Sequence, residues 1–237
     1  MKVYGGKSVY GAAVGILMLE AKFPRIPGDM GNAQTWPFPV LYKVVRDASP
    51  DRVVRHQAQG LLGNFKNAAQ QLVADGADGI TTNCGFLALF QDELSAAIGV
   101  PVASSSLMQV PLVDRILPAG KRAGILTISS ATLTEEHLLK AGCQPDTPVA
   151  GTPENGEFSG AILNNLLEFD VDLARQENIE AAKSLVTANP QLSAIVLECT
   201  NMVPYAADIR IATGLPVFSI YNFITWFQQG LQPRQSF

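Results

Sequence analysis

The residues best suited to chemistry are two cysteines that each follow a short apolar run. Cys84 comes after Ile-Thr-Thr-Asn, and Cys199 comes after Ile-Val-Leu-Glu. The chain has only three cysteines, so their shared setting needs an explanation. A thiolate can take a proton and a thiol can return one. Two thiols on opposite faces of one carbon atom could therefore invert its configuration.

Both cysteines belong to an internal repeat. Residues 80–104 align with residues 195–219 at a constant offset of 115, with seven of the 25 positions identical. Each copy predicts a strand, a helix and a second strand, with the cysteine where the first strand passes into the helix. Such a repeat indicates that one α/β unit has been laid down twice.

Short apolar runs alternate with longer amphipathic ones along the rest of the chain, which is typical of α/β proteins with largely parallel sheets. We expect two flavodoxin-like halves, residues 1–112 with 218–237 and residues 113–217, and an active site in the cleft between them. The segment 219–230 should be a helix that crosses back to the first half. The predicted strands are 12–19, 40–45, 79–83, 102–105, 123–128, 149–151, 194–198 and 217–220, and the predicted helices are 51–75, 86–98, 134–141, 171–188 and 203–212.

The end of a parallel strand is a favourable place for reactive thiols. Ligands of open α/β sheets bind beyond the carboxyl ends of the strands. A helix that starts just after a cysteine directs free N–H groups towards the sulfur, so we expect a thiol pKa below the usual value of about 8.5. A single buried cysteine is more often a core residue, and this is our interpretation of Cys143. For Cys84 and Cys199 the repeated position and the polar neighbours favour a site.

Composition argues against several other functions. The net charge is −4 and there is no run of Lys or Arg, which disfavours nucleic acid or an anionic membrane as partner. His56 and His137 are too far apart in sequence for ligand spacing, so we expect no metal. No glycine-rich phosphate loop follows a strand, so we expect no nucleotide cofactor. No apolar run reaches the roughly 18–20 residues of a membrane span. We expect a cytoplasmic protein with reduced thiols.

The paired cysteines, with Cys-Thr at the second site, resemble the cofactor-independent aspartate/glutamate racemase superfamily over essentially the whole chain. This superfamily includes glutamate, aspartate and hydantoin racemases and arylmalonate decarboxylase, and maleate isomerase is a relative. The resemblance implies that Cys84 and Cys199 are the acid/base residues on either side of the acidic carbon of a small carboxylate substrate. It implies no cofactor, and a homo-oligomer such as a dimer is a further expectation.

Departures from the superfamily's motifs favour a substrate other than a free amino acid. Gly85 and Phe86 follow the first cysteine, where Asn-Thr is usual, and Asn201 follows Cys-Thr, where His or Glu is common. Phe86 suits a more apolar or cyclic substrate, or it is the first core residue of its helix. The candidates for holding the substrate are Asn83, Gly85, Phe86, Thr200 and Asn201.

One further candidate lies in the segment Phe23–Phe38, which follows the first predicted strand. It is long and rich in Gly and Pro, and loops of this kind are usually functional or disordered. Arg25 within it could bind a substrate carboxylate with two parallel hydrogen bonds, or it could form an ordinary surface ion pair.

The sequence therefore predicts a racemase or epimerase for a small carboxylate or carbonyl-activated substrate such as an amino acid or a hydantoin. A decarboxylase, which needs one protonating cysteine, and a cis-trans isomerase, which uses one as nucleophile, are alternatives on the same frame. A two-lobed binding protein is an alternative of another class. Thiol reactivity would discriminate the enzymes from the binding protein.

Overall fold

Two four-stranded parallel sheets form the framework of the protein, in a computed structural model that describes residues 2–233. The first sheet has the order β2-β1-β3-β4 and the second has the order β6-β5-β7-β8. The predicted α/β class with two similar parallel-sheet halves is confirmed. The strands are β1 (Val14–Leu19), β2 (Val40–Val45), β3 (Gly79–Thr82), β4 (Val102–Ala103), β5 (Arg122–Thr127), β6 (Val149–Gly151), β7 (Leu192–Leu197) and β8 (Val217–Phe218).

Helices form the connections between consecutive strands, except between β1 and β2, where the segment Phe23–Phe38 forms a loop. The helices are α1 (Pro50–Val54), α2 (Leu62–Asp75), α3 (Gln91–Ile98), α4 (Val110–Ile116), α5 (Glu135–Lys140), α6 (Glu157–Leu163), α7 (Val171–Ala188), α8 (Ala206–Thr213) and α9 (Ile220–Leu231). None of these helices, in the part of the chain that the structure describes, has the length and hydropathy of a membrane span.

The strand register shows that the two sheets are built alike. Leu17 pairs with Thr82 in the first sheet, and Leu126 pairs with Leu197 in the second. The offset between Thr82 and Leu197 is 115 residues, the same as the offset between the two cysteines. The residue after each of these positions donates its N–H to the paired strand, at 3.0 Å in the first half and 2.8 Å in the second. Each cysteine therefore leaves its sheet at the same level.

One predicted helix was wrong. The segment 51–75 was predicted as a single helix, but it forms α1 and α2 with turns between them. Gln57, Ala58 and Gly60 have positive φ values of 52°, 52° and 75°, which an α-helix cannot contain. The amphipathic pattern of α2 was detectable from the sequence, but the break was not, because only Gly60 is a residue that favours such a backbone.

The predicted helices 86–98 and 203–212 each begin with a 3₁₀ turn. These turns are Gly85–Phe90 and Thr200–Tyr205, and α3 and α8 follow them directly. The tighter turn aligns i and i+3 side chains and provides a short connector between the cysteine and the α-helix. The two halves share this detail, so each cysteine immediately precedes a 3₁₀ turn.

The last helix packs against the sheet of the first half. Ile220 and Ile224 of α9 are fully buried in a cluster with Val14 and Ile16 of β1. A Cβ on Gly79 would lie 2.6 Å from side-chain atoms of α9, so the helix and β3 are in close contact. The same helix also contacts β8 and the turn Thr200–Tyr205 of the second half, so the predicted return of this segment to the first half stays a prediction. The division at residues 112 and 217 stays a prediction, and residues 1 and 234–237, which it includes, lie outside the described residues.

Buried hydrogen bonds join the two halves beside the cysteines. The Ser106 hydroxyl donates to the carbonyl oxygens of Leu197 at 2.6 Å and of Glu198 at 3.1 Å. The Thr200 hydroxyl donates to the carbonyl oxygen of Asn83 at 2.7 Å. Buried carbonyl groups need such donors, so these bonds hold the ends of β3 and β7 at a defined separation.

Ser106→Ala should destabilise the protein by about 1–3 kcal/mol, because it leaves buried carbonyl oxygens without their donor. Urea unfolding measures this as a lower midpoint. Ser95→Ala is the matched control, since Ser95 is exposed and its loss should change the free energy of unfolding by less than about 0.5 kcal/mol. Equal effects of the two substitutions would show that the bonds between the halves add nothing.

Candidate active site

Cys84 and Cys199 lie at equivalent strand ends, and both face the same cavity. Each is the last extended residue before its 3₁₀ turn, with φ, ψ of −150°, 120° for Cys84 and −74°, 125° for Cys199. Both are free thiols and both are buried. The strand ends supply one thiol from each half, which is the arrangement that the repeat predicted.

The cavity between the halves is narrow, with a volume of about 20 Å³, and residues of both halves line it. One part of its wall is apolar and the other part is polar. The apolar wall consists of Leu19, Phe23, Pro50, Val54, Phe86, Ile128 and Ile162, and the other lining residues are Arg25, Asn83, Cys84, Gly85, Glu198, Cys199, Thr200 and Asn201.

The thiol pKa values are shifted in the direction opposite to the one that the sequence predicted. Burial raises the pKa of Cys84, and the charge of Glu198 raises it further. The N–H groups of Phe86 and Leu87 lower the same pKa, as the start of a helix should, but less than burial raises it. For Cys199, burial and then Glu198 again raise the pKa, against a smaller opposing effect of the Asn201 N–H. The prediction of lowered values was wrong because sequence position does not reveal desolvation.

Glu198 is a fully buried carboxyl group in the cavity wall. Its Oε2 accepts a hydrogen bond of 2.6 Å from the Thr127 hydroxyl, while its Oε1 is buried without a hydrogen-bond partner in the described structure. Burial raises the pKa of Glu198 to about 7, although the bonds from Thr127 and the Ile128 N–H act in the other direction. This carboxyl group therefore titrates near neutral pH.

Gly85 is required by the position of Glu198. A Cβ at residue 85 would lie 2.2 Å from Oε1 and 2.5 Å from the carbonyl oxygen of Glu198. Such distances are impossible without movement of the backbone. Residue 85 is therefore a glycine because Glu198 occupies the space that a side chain would need.

Arg25 reaches the cavity through a chain of polar contacts. Its Nη1 lies 2.9 Å from Oδ1 of Asp29, and Oδ2 of Asp29 accepts a hydrogen bond from the amide of Asn201. The Cys199 thiol donates to Oδ1 of the same amide at 3.5 Å. The Arg25 guanidinium also lies over the ring of Phe23, 4.6 Å from its centroid. The second nitrogen of Arg25, Nη2, is buried without a partner among the described residues.

The segment Phe23–Phe38 is an ordered loop that packs against the second half. The Asn32 amide donates to the carbonyl oxygen of Arg25 at 2.9 Å, and the Thr35 hydroxyl donates to that of Asp29 at 2.6 Å. Gly28 has φ of 97°, and it lies so close to Pro204 that a Cβ at residue 28 would be 3.3 Å from Cα of that proline. The loop thus carries Arg25 into the wall of the cavity, while its Asp29 accepts a hydrogen bond from the amide of Asn201.

All eight residues that the sequence singled out line the cavity. Some of their polar atoms already have hydrogen-bond partners. Oδ1 of Asn83 accepts from the Leu19 N–H at 2.7 Å, and the Thr200 hydroxyl donates to the carbonyl oxygen of Asn83 in the first half. Phe86 contacts the His137 ring edge-to-face at 5.0 Å, so it is a core residue as well as a cavity residue. The roles of these residues towards a substrate stay predictions.

Cys143 is separate from this cavity. It is buried in the core, where its thiol donates to the carbonyl oxygen of Leu107 at 3.4 Å. Burial and the charge of Asp114 raise the pKa of Cys143 to about 12. These contacts agree with the predicted role of a core residue.

Sequence reasoning missed Glu198 and Asp29 as site residues. Glu198 was noted only as a polar neighbour of Cys199, although a carboxylate at the end of an apolar strand is itself a signal. Asp29 lies 170 residues before Cys199 in a loop without periodicity, and no sequence pattern connects the two.

Comparisons with known proteins give both sequence and structural relatives, although no family model matches the chain. It is 27% identical over 238 residues to a dimethylsulfoniopropionate lyase from Durusdinium sp. clade D, covering 95% of this chain and 77% of the relative. It is 28% identical over 249 residues to dimethylsulfoniopropionate lyase 7 from Emiliania huxleyi (strain CCMP1516), covering 95% and 69%.

The structural relatives share the whole architecture. Arylmalonate decarboxylase superposes with a TM-score of 0.58 at 15% identity, covering 94% of each chain. A glutamate racemase from Bacillus anthracis gives 0.60 at 16% identity, covering 92% of this chain and 82% of that one. Picrophilus torridus aspartate racemase gives 0.56 at 13% identity, covering 93% and 94%. The chain has the aspartate/glutamate racemase superfamily fold. The resemblance inferred from the paired cysteines is thereby confirmed at the level of this fold, in which the cavity lies between the duplicated halves.

Gly85→Ala should destabilise this racemase-like fold by about 1–3 kcal/mol, because the added methyl group overlaps Glu198 and the backbone must move. Gly63→Ala is the control, since a Cβ there meets no atom within 4 Å and should cause no loss. Thermal unfolding of both variants measures the difference. A Gly85→Ala protein as stable as the control would contradict the close packing of the two turns.

Proposed function

We propose that this protein is an enzyme that removes a proton from the carbon next to a carboxylate or carbonyl group of a small acid and returns a proton to it. The preferred outcome is racemisation or epimerisation. The observation that supports it is the presence of two thiols, one from each half, in a single cavity with an arginine nitrogen that lacks a partner among the described residues.

Arg25 is the proposed ligand of the substrate carboxylate. A buried guanidinium N–H without an acceptor is costly, and a carboxylate oxygen would remove that cost. Asp29 holds the other side of the guanidinium through Nη1, so Nη2 is left to bind substrate. The N–H groups at the start of the two 3₁₀ turns have no partner within the turn, and they would stabilise charge that develops on the substrate oxygens.

Cys84 and Cys199 are the proposed base and acid. In one direction a thiolate on one side takes the α-proton while the thiol on the other side delivers its own, and the roles are exchanged in the reverse direction. The raised thiol pKa reduces the fraction of thiolate at neutral pH. It also makes each thiolate a stronger base, which suits a weakly acidic carbon. The Arg25 charge lowers the pKa of Cys84 and partly offsets the effect of burial.

A second candidate is β-elimination, and the sequence relatives favour it. Both relatives described above are dimethylsulfoniopropionate lyases, and both alignments cover 95% of this chain. Loss of the α-proton from this substrate to a thiolate, with cleavage of the bond between carbon and sulfur, would give dimethyl sulfide and acrylate. The aromatic rings of Phe23 and Phe86 and the carboxyl group of Glu198 could surround a sulfonium cation. Elimination requires one base, whereas racemisation requires two. A decarboxylase and a cis-trans isomerase stay alternatives on this fold.

Proton exchange in heavy water distinguishes these functions. Candidate acids, including amino acids, hydantoins, 2-aryl carboxylates and dimethylsulfoniopropionate, are followed by proton NMR and chiral chromatography. A racemase should incorporate deuterium at the α-carbon of each enantiomer as it converts. Cys84→Ala and Cys199→Ala should each abolish racemisation, at least about 10²-fold, because the loss of one general acid or base has this size. Each variant should retain exchange with one enantiomer only.

Cys143→Ala is the control and should leave turnover unchanged. A lyase would instead release dimethyl sulfide and depend on one cysteine. A binding protein would exchange no proton of any acid. Full turnover in both single-cysteine variants on an accepted substrate would refute the two-thiol mechanism.

Arg25→Ala should raise KM for an accepted carboxylate substrate by roughly 10–100-fold, because a charge-assisted hydrogen bond contributes about 1.5–3 kcal/mol. Steady-state kinetics measures this change. Arg46→Ala is the matched control, since Arg46 forms an exposed ion pair with Glu20 and should leave KM unaltered. An unchanged KM in Arg25→Ala would place the substrate carboxylate elsewhere.

A further inference from the structure

Glu198 lies next to residues that adjoin both cysteines. It precedes Cys199 in the chain, and its Oε1 packs against Gly85, the residue after Cys84. The side chain is completely buried, and Oε2 is held by the Thr127 hydroxyl at 2.6 Å. Oε1, which has no partner among the described residues, and the two thiols belong to the same cavity.

The duplicated half shows that a carboxylate is not needed at this position for the fold. The equivalent of Glu198, 115 residues earlier, is Asn83. The Asn83 side-chain oxygen accepts a hydrogen bond from the Leu19 N–H, and Glu198 accepts one from the Ile128 N–H. Leu19 and Ile128 correspond to one another, because Gly15 and Gly124 begin the same Gly-Ile-Leu segment in their strands. An uncharged amide performs this backbone contact in the first half, so the ionisable group in the second half has a different purpose.

We propose that Glu198 is a positioning residue whose charge regulates the thiol pair: as a carboxylate it keeps Cys84 and Cys199 protonated, and as a neutral acid it allows one of them to become a thiolate. The proposal rests on the proposed function of the two thiols as acid and base. The activity of the site then depends on the protonation state of Glu198 as well as on the protonation states of the two thiols.

The electrostatics of the cavity supports this assignment. The charge of Glu198 is the second cause, after burial, of the raised pKa of both thiols. Its own pKa of about 7 means that it changes charge at neutral pH. The other charged or titratable groups at the cavity are the two thiols and Arg25, which is paired with Asp29 on the loop. His137, which contacts Phe86, has its pKa lowered to about 4 by burial. Between about pH 6 and 8 Glu198 is therefore the group that ionises, and its ionisation opposes that of the thiols.

The test is the pH dependence of thiol alkylation in the whole protein. Iodoacetamide is used as the probe, and the rate at each cysteine is followed by mass spectrometry of its peptide. In the native chain the alkylation rates at Cys84 and Cys199 should rise with pH. The plot of rate against pH should have a break near pH 7, above which the rise is less steep, because Glu198 ionises there and opposes ionisation of the thiols. Glu198→Gln keeps an acceptor oxygen but removes the charge. It should abolish the break and accelerate both thiols at about pH 8, by about tenfold for each unit by which their pKa falls.

Two further measurements separate charge from structure. Cys143 is the internal control, because Asp114 and burial raise its pKa and Glu198 does not, so its rate should be the same in Glu198→Gln. Thr127→Val keeps the carboxyl group but removes the hydrogen bond that lowers its pKa, so the break should move to higher pH.

An unchanged break in folded Glu198→Gln would overturn the proposal, as would equal acceleration of Cys143, which would indicate general loosening. If Glu198→Gln fails to fold, the position of the break in Thr127→Val decides, and an unshifted break refutes the proposal. The measurement needs no substrate. A chain that shows these shifts but exchanges no proton of any acid would contradict the proposed function and leave the control by Glu198 intact.

Discussion

The close approach of Gly85 and Glu198 is the contact on which the arrangement of the site depends. The two 3₁₀ turns that begin after the cysteines come together because Gly85 has no side chain and Glu198 fills the space that one would occupy. Hydrogen bonds from Ser106 and Thr200 then join the turns and strand ends across the boundary between the halves. Each sheet alone brings one cysteine to its carboxyl edge. The contact at Gly85 brings two edges together and makes one cavity from two equivalent strand ends.

Desolvation follows directly from this packing and determines the chemistry of the thiols. Water that would stabilise a thiolate is excluded, so the pKa of both cysteines rises despite the N–H groups at the start of the turns. The same exclusion of water strengthens the interaction of the thiols with Glu198 and Arg25, because charges interact more strongly in a medium of low dielectric constant. Burial and the neighbouring charges together thereby set the pKa of both thiols.

The duplicated halves are equal in backbone but unequal in charge. Asn83 and Glu198 perform the same hydrogen-bonding task at the ends of β3 and β7. The loop Phe23–Phe38 adds a second difference, because it brings Arg25 to the cavity and Asp29 to the amide of Asn201. A symmetric scaffold thus surrounds the cavity with an asymmetric distribution of charge.

The sequence by itself determined the alternation of strands and helices, the duplication at an offset of 115 and the special position of Cys84 and Cys199. These features are local, since they depend on hydrophobic periodicity and on residue identity at fixed spacing. It also placed all eight candidate residues at the cavity. The tertiary structure alone decided the direction of the thiol pKa shifts, the break between α1 and α2, the partnership of Arg25 with Asp29 and the packing of Glu198 against Gly85. Each of these depends on contacts between residues distant in the chain or on exclusion of water, and neither quantity is contained in a short segment of sequence.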